Sequence, residues 1–301
     1  MQTSDSPRFA VIGAGAVGCY FGGMLARAGV PVTLIGRASH VDVMRSRGLR
    51  LETRMFDETV AVNASTDTAA IAGADVVLFC VKSTDTERTA REIAPWLKAE
   101  TVIVSLQNGV ENAEIIRRVL PQRVIPAVVY VATEMAGPAH LKHHGRGELV
   151  IGPAPESTRI LETFALAGVP VQVSENIMGV LWGKLIVNCA YNALSAIAQK
   201  TYGKLIEVDG IPELMQAVVD ECLQVARADG IDVPGDSREA VRKIAHSMAN
   251  QYSSTAQDVA RNKPNEIDYL NGYVVRRGQA HDLPTPFNQT LLALVKLVAT
   301  P

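Results

Sequence analysis

The sequence predicts an α/β domain over residues 1–174, built on a parallel sheet with helices on both faces, followed by an all-α domain over residues 175–301. Three observations predict it. Short apolar, β-branched runs alternate with helical patterns in the first half. A glycine-rich turn joins the first run to the first helix. Beyond about Glu175 the strand patterns stop and long helical patterns take over.

The elements follow in order. Phe9–Ile12 is an apolar strand ending in glycines, Ala16–Ala28 a helix that Gly29 ends, and Val32–Ile35 a second strand. Asp75–Val81 and Thr101–Leu106 are further apolar runs, with a helical segment, Glu87–Leu97, between them. Strands without polar alternation are buried on both faces, as in a parallel sheet covered by helices. Val124–Ala132, Leu149–Ile151 and Val169–Val173 add strands whose direction stays open. The second half reads as helices over Ile177–Gln199, Ile211–Asp229, Arg238–Met248 and Glu266–Gln279.

Composition bounds the function. A chain of 301 residues with 48% apolar and 20% charged residues can bury the cores of two domains. The net charge of -2 gives no basic excess for nucleic acid, and 5% aromatic residues supply few bases' worth of stacking platform. Cys19, Cys80, Cys189 and Cys222 form no C-x-x-C pair, and read as reduced thiols of a cytosolic protein. Met1–Arg8 is polar and lacks the apolar stretch of a signal peptide. No uninterrupted apolar run reaches the roughly 18 residues of a membrane span. A soluble, cytoplasmic protein with neither membrane nor nucleic-acid partner is expected. His140, His143 and His144 lie in a glycine-rich stretch without evident carboxylate or cysteine partners, so a solvated loop or hairpin is expected there and no metal site.

Gly13-Ala14-Gly15-Ala16-Val17-Gly18 matches G-x-G-x-x-G between a strand and a helix. Gly13 permits the tight turn, Gly15 lets the backbone approach a pyrophosphate, and Gly18 lets the helix pack on the strand. The helix N-terminus then presents unpaired N–H groups and a positive dipole end to phosphate. This is the fingerprint of a Rossmann-type dinucleotide-binding domain. At the end of the next strand, Leu34-Ile35-Gly36-Arg37 lacks the carboxylate that holds an NAD ribose. Arg37 supplies instead a guanidinium that can fork onto a 2′-phosphate, with Ser39 and His40 nearby, so NADPH/NADP+ is the expected cofactor. A solvated loop arginine is the plainer alternative. Lys82 and Asn108 follow the next two strands at their carboxyl ends, where open α/β sheets bind ligands. A surface lysine and an Asn-Gly turn would explain them equally simply.

Trp182–Asn192 opens the helical half. Lys184, Asn188 and Asn192 are spaced i, i+4, i+8, which sets a cation and two amides on one stripe of an otherwise apolar helix. Unpaired buried polar groups cost about 1–3 kcal/mol each. A bound keto or hydroxy acid would partner them; so would polar groups of the other domain. Ser254 and Gln257 have capping-box spacing, which gives Ser254 a structural explanation beside a ligand-binding one. Glu266 and Asp268 would favour a helix N-terminus.

Together these blocks resemble the ketopantoate reductase (2-dehydropantoate 2-reductase) family. The matching residues are Gly13–Gly18, Arg37, Cys80-Val81-Lys82, Gln107-Asn108-Gly109, Trp182–Asn192, Ser253-Ser254 and Glu266-Ile267-Asp268-Tyr269-Leu270-Asn271-Gly272. The resemblance implies a Rossmann-type domain, an all-helical domain and an active site in the cleft between. It also implies NADPH-dependent reduction of 2-dehydropantoate to pantoate, on the way to pantothenate and coenzyme A. It makes Lys184 the general acid and gives Glu266 a substrate hydroxyl to hold. Asn108, Asn188, Asn192 and Ser254 become substrate ligands, and Arg37 and Lys82 serve the cofactor and the cleft. Tyr202 departs from members that carry an asparagine before the following glycine, which leaves other small 2-keto acids open as substrates. A non-catalytic NADPH sensor is a reading of another class, and the polar stripe with Glu266 counts against it. A homodimer is allowed but not required.

Overall fold

The computed structural model describes residues 6–299; Met1–Asp5, most of the polar start read above, and the last two residues lie outside the described residues. The chain divides into two units, Met1–Ile177 and Met178–Pro301.

The first unit runs β1 (Phe9–Ile12), α1 (Ala16–Arg27), β2 (Val32–Ile35), α2 (Ala38–Arg47), β3 (Leu49–Glu52), β4 (Asp57–Val60) and β5 (Asn63–Ser65). It continues with β6 (Val76–Phe79), α3 (Thr86–Ile93), β7 (Val102–Ser105), α4 (Asn112–Val119), β8 (Arg123–Gly137), β9 (His140–Ile151), α5 (Ser157–Leu166) and β10 (Val171–Val173). One sheet holds the strands in the order β4-β3-β9-β8-β7-β6-β1-β2-β5, with β10 beside β9. From β5 to β8 every pairing is parallel. Beyond β8 the sheet is mixed, with β9 antiparallel to β8, β3 parallel to β9 and β4 antiparallel to β3.

Period-two alternation explains the two layers. Phe9 and Val11 face a core shared with α1 and α5, where Phe21, Leu25, Ile160 and Phe164 are buried. Ala10 and Ile12 face the other core, with Ile71, Ala90, Ile93 and Ile116. α1 is buried on nearly all sides because the mixed strands curl over it. Its small residues make this fit: a Cβ at Gly22 would lie 2.9 Å from Val11, and one at Gly23 2.9 Å from Leu51.

Three expectations need correction here. The segment Glu87–Leu97 is a helix only to Ile93; Pro95 holds the next three residues in a 3-10 turn, because it has no N–H to continue the ladder. The runs Val124–Ala132 and Leu149–Ile151 are parts of one long hairpin, β8–β9, whose three register shifts break the alternation a sequence reading depends on. The histidines lie on β9 in that hairpin and do have carboxylate partners: His140 Nε2 is 2.8 Å from Glu52, and His144 Nε2 is 3.0 Å from Glu134. His143 stacks on Tyr20 of α1.

The second unit is helical, with α6 (Ile177–Ala198) reaching into it from the boundary, then α7 (Tyr202–Ile206), α8 (Ile211–Ala228) and α9 (Ser237–Ser247). α10 (Ser254–Ala260), α11 (Asn271–Ala280) and α12 (Pro286–Val298) complete it. Among the described residues α6 alone is long and apolar enough to cross a membrane by length and composition, although Lys184 and two asparagines interrupt its apolar run. Two-thirds of its most apolar window, 67%, is buried within the protein, as in a core helix. Trp182, Leu185, Ile186, Cys189, Ala190 and Tyr191 form its buried faces.

Two polar devices hold α8, α11 and α12 together. Glu221 of α8 accepts the N–H groups of Phe287 and Asn288 at 2.8 and 2.9 Å, so a carboxylate distant in sequence caps α12. Asp229, at the end of α8, takes both Arg277 and His281 of the α11 region. Burial works against the Asp229 charge, but the Arg277 and His281 bonds hold its carboxyl below the usual range. Replacing Arg277 by methionine should therefore destabilise the protein by roughly 2–3 kcal/mol at neutral pH, less than a fully buried pair because Arg277 is 38% exposed. The folded carboxyl ionises more readily than the unfolded one. Its contribution is thus complete above the unfolded aspartate pKa, about 3.9, and is lost as pH falls through the folded value. Melting curves of the two proteins should converge in acid; a constant gap across pH would refute this account.

Candidate active site

In the first unit the glycine turn lies at the point where strand order reverses, between β1 and β6. Gly13 has φ +100°, and a Cβ there would sit 2.7 Å from the Cys80 carbonyl carbon. Gly18 packs against the Gly13 carbonyl, where a Cβ would overlap the oxygen. The N–H groups of Gly13 and Ala14 both bond the Ile35 carbonyl, at 3.0 and 2.9 Å, which ties the turn to the end of β2. Gly15 differs from both neighbours: its φ is −91°, and a Cβ would meet nothing within 4 Å. Neither chain geometry nor packing requires glycine there. The open space there leaves room for a ligand against the backbone.

The first bond within α1 is Cys19 N–H to the Gly15 carbonyl, at 2.8 Å. The N–H groups of Ala16, Val17 and Gly18 precede it and have no partner in the helix. No side chain caps this end and its first turn has no acid. That combination fits an anionic ligand, and a dinucleotide pyrophosphate is one.

Arg37 is exposed at the N-cap of α2, and its guanidinium makes no hydrogen bond or ion pair among the described residues. It is therefore free to take a 2′-phosphate. His40, expected to help there, is occupied otherwise, because its Nδ1 accepts the Ala139 N–H at 3.2 Å and so docks the β8–β9 turn. Replacing Arg37 by glutamine should weaken NADPH binding by about ten- to a hundredfold, the worth of a lost charge-assisted bond, and leave NADH binding unchanged. Equal losses for both cofactors in titration would exclude the 2′-phosphate role. Lys82 and Asn108 stand just beyond the carboxyl ends of β6 and β7, Lys82 exposed and Asn108 half-buried.

In the second unit α6 carries Lys184, Asn188 and Asn192 on one stripe, with Lys184 and Asn188 half-buried and Asn192 only 3% exposed. The Asn188 and Asn192 amides make no hydrogen bond among the described residues.

Two anchors bring the remaining candidates onto α6. Ser253 donates its hydroxyl to the Asn192 carbonyl at 3.2 Å and its N–H to Ser195 Oγ at 3.2 Å. This sets the start of α10 against the Asn192 turn. Ser253, not Ser254, is the N-cap, since its Oγ accepts the Ala256 N–H at 2.9 Å. The N-cap read at Ser254 thus falls one residue earlier, where Ala256 at N3 cannot complete a capping box, and Ser254 is left exposed and free of that duty. The second anchor is Asn271, which donates to the Cys189 carbonyl of α6 at 3.2 Å and to Asn288 Oδ1 at 2.9 Å. It docks the segment after Glu266 on the same helix. Here the chain breaks at Leu270, with φ −108° and ψ −104°, so the single helix expected over Glu266–Gln279 is a 3-10 turn followed by α11. Glu266 is 6% exposed at the start of that turn. Asn271 was legible only as part of a motif; its structural task depends on Cys189 and Asn288, which are remote in sequence.

Burial pushes the Cys19 thiol up to about 12 and raises the Cys80 and Cys189 thiols as well, so these cysteines are poor nucleophiles.

A dinucleotide-binding α/β unit followed by a helical unit with a lysine–asparagine stripe is the architecture of a nicotinamide-dependent oxidoreductase acting on a CH–OH/keto carbon. The models of the ketopantoate reductase PanE/ApbA family match residues 9–156 and, for its C-terminal part, residues 176–299, and the chain belongs to that family. It is 34% identical to the 2-dehydropantoate 2-reductase of Pyrococcus horikoshii, covering 95% of both chains. With the enzyme of that name from Halobacterium salinarum it shares 33%, over 96% of this chain and 98% of the other. The crystal structure of a PanE/ApbA family ketopantoate reductase from Ralstonia eutropha JMP134 is 56% identical, with a TM-score of 0.95 over 97% of this chain and 98% of that one. The fold also matches D-mandelate dehydrogenase, at 24% identity and a TM-score of 0.90.

Proposed function

We propose that this protein reduces 2-dehydropantoate to pantoate with NADPH, as a soluble cytoplasmic enzyme of pantothenate and coenzyme A biosynthesis. The observation that carries this reading is the α6 stripe, where a lysine and two amides share one face of a core helix and neither amide makes a hydrogen bond among the described residues. Family membership supports it.

Gly13–Gly18 would hold the pyrophosphate, Arg37 the 2′-phosphate, and Lys82 and Asn108 the ligand at the strand ends. The bound cofactor supplies the hydride that the keto carbon accepts. Lys184 would stabilise the negative charge growing on the keto oxygen and then give that oxygen a proton. Asn188, Asn192 and Asn108 orient the substrate, which removes most of the rotational freedom it would otherwise lose in the transition state. Ser254 offers its hydroxyl to the substrate carboxylate. Glu266 accepts a hydrogen bond from the substrate's own hydroxyl, which favours a hydroxylated keto acid over a plain one.

Tyr202 favours a second reading, the reduction of another small 2-keto acid. Where some members carry an asparagine, this chain has a buried phenol whose ring lies 4.7 Å from that of Tyr191. Following the absorbance of reduced nicotinamide with a panel of 2-keto acids tests both readings. Turnover of 2-dehydropantoate at a kcat/KM at least about tenfold above every other acid supports the first; a better alternative acid supports the second. No turnover of any acid would remove both.

A further inference from the structure

Beyond the end of the β6–β7 ladder, where Leu106 N–H bonds the Phe79 carbonyl at 2.9 Å, the two strands pass into the loops that carry Lys82 and Asn108. Four buried side chains span these loops: Ser83, Thr86, Gln107 and Asn112, none more than 6% exposed. Gln107 donates both amide protons, to the Val81 carbonyl at 3.1 Å and to Thr86 Oγ1 at 2.7 Å, and accepts from Ser105 Oγ at 3.2 Å. Thr86 Oγ1 lies 2.8 Å from the Ser83 carbonyl and 2.9 Å from Asn112 Oδ1 and shares its one proton between them. Asn112 in turn donates to Ser83 Oγ at 3.2 Å and to the Asn108 carbonyl at 2.6 Å. Ser83 donates to that same carbonyl at 3.1 Å.

The amides of Gln107 and Asn112 each use both N–H groups and the oxygen, and the Ser83 and Thr86 hydroxyls each donate and accept. The amide orientations are thereby fixed, because reversing either would set its oxygen against a carbonyl, that of Val81 for Gln107 and that of Asn108 for Asn112. The network pins the carbonyl before Lys82, the side chain after it, and the carbonyl of Asn108 itself. Gly109 follows at φ +93°, a conformation that glycine adopts freely and that fixes the turn. Thr86 and Asn112 are also the first residues of α3 and α4, so both helices are anchored at the same place.

We propose that Asn112, relayed by Thr86, is a positioning residue: it sets the spacing of the Lys82 and Asn108 loops and thereby ligand binding at the strand ends. This rests on the reading that Lys82 and Asn108 bind ligand. Nothing in the spacing of Ser83, Thr86 and Asn112 along the chain announces it, since only the fold brings them to one point.

The test is a double-mutant cycle read by NADPH affinity and by the KM for 2-dehydropantoate. Asn112→Asp keeps the shape but sets a carboxylate oxygen against the Asn108 carbonyl. It should raise the NADPH Kd or the substrate KM at least about tenfold. In a background already carrying Lys82→Ala and Asn108→Ala, the same change should shift either value less than about threefold, since its targets are gone. The pair Thr86→Val and Thr86→Ser supplies a second readout if the aspartate variant does not fold. The valine should weaken binding and the serine, which keeps the hydroxyl, should restore it. Full additivity in the cycle, or a lowered Tm with unchanged Kd and KM, overturns the proposal. If Lys82→Ala and Asn108→Ala by themselves leave Kd and KM unchanged, it is the ligand-binding reading of these loops that fails.

Discussion

Replacing Lys184 by alanine is expected to lower kcat for 2-dehydropantoate by at least about a hundredfold, within the 10²–10⁴ range for loss of a general acid. The reason is the charge that hydride arrival leaves on the keto oxygen. A positioned ammonium stabilises that charge at no cost in reorganisation, which loose water does not match. NADPH affinity should stay within about twofold of wild type, because the cofactor groups lie on the other unit. Small primary amines added to the alanine variant should recover part of the rate, since they can enter the volume the side chain leaves. Undiminished kcat in Lys184→Ala would end the assignment. A loss of NADPH binding instead of rate would move Lys184 from the chemistry to the cofactor.

Adding one methyl group at Gly15 should have the next largest effect, confined to binding. At Gly13 and Gly18 a Cβ would strike backbone, so alanine there costs folding stability. At Gly15 it would enter open space at an ordinary backbone conformation, and alanine should leave Tm unchanged or slightly raised. The space it takes lies beside the free N–H groups at the start of α1. Holding a pyrophosphate away from two charge-assisted bonds costs about 3 kcal/mol, or roughly a hundredfold in Kd for NADPH. Larger residues at Gly15 should weaken binding further while the protein still melts cooperatively. A Gly15→Ala variant with wild-type affinity would show that the phosphate does not approach this turn. One that fails to fold would show that the glycine serves packing after all.

The sequence by itself determined what local chemistry can specify. Unbroken β-branched runs marked the parallel strands, the glycine spacing in Gly13–Gly18 marked the turn, and a four-residue spacing marked the stripe Lys184, Asn188 and Asn192. Each signal lies within a few residues of itself, so no knowledge of the fold is needed to read it. Strands β3 to β5 escaped because they are short, mostly polar or half-exposed, and owe their existence to neighbours across the sheet. Of the hairpin β8–β9 only the outer runs Val124–Ala132 and Leu149–Ile151 were legible as strands, because its bulges erase the alternation nearer the turn. Only the tertiary structure decided which serine caps α10, that Glu221 caps α12, that Asn271 anchors the Glu266 segment to α6, and that Asn112 joins two loops. In each case a buried hydrogen-bonding group must find a partner, and the partner that satisfies it is chosen by proximity in the folded core, with no trace in the order of residues along the chain.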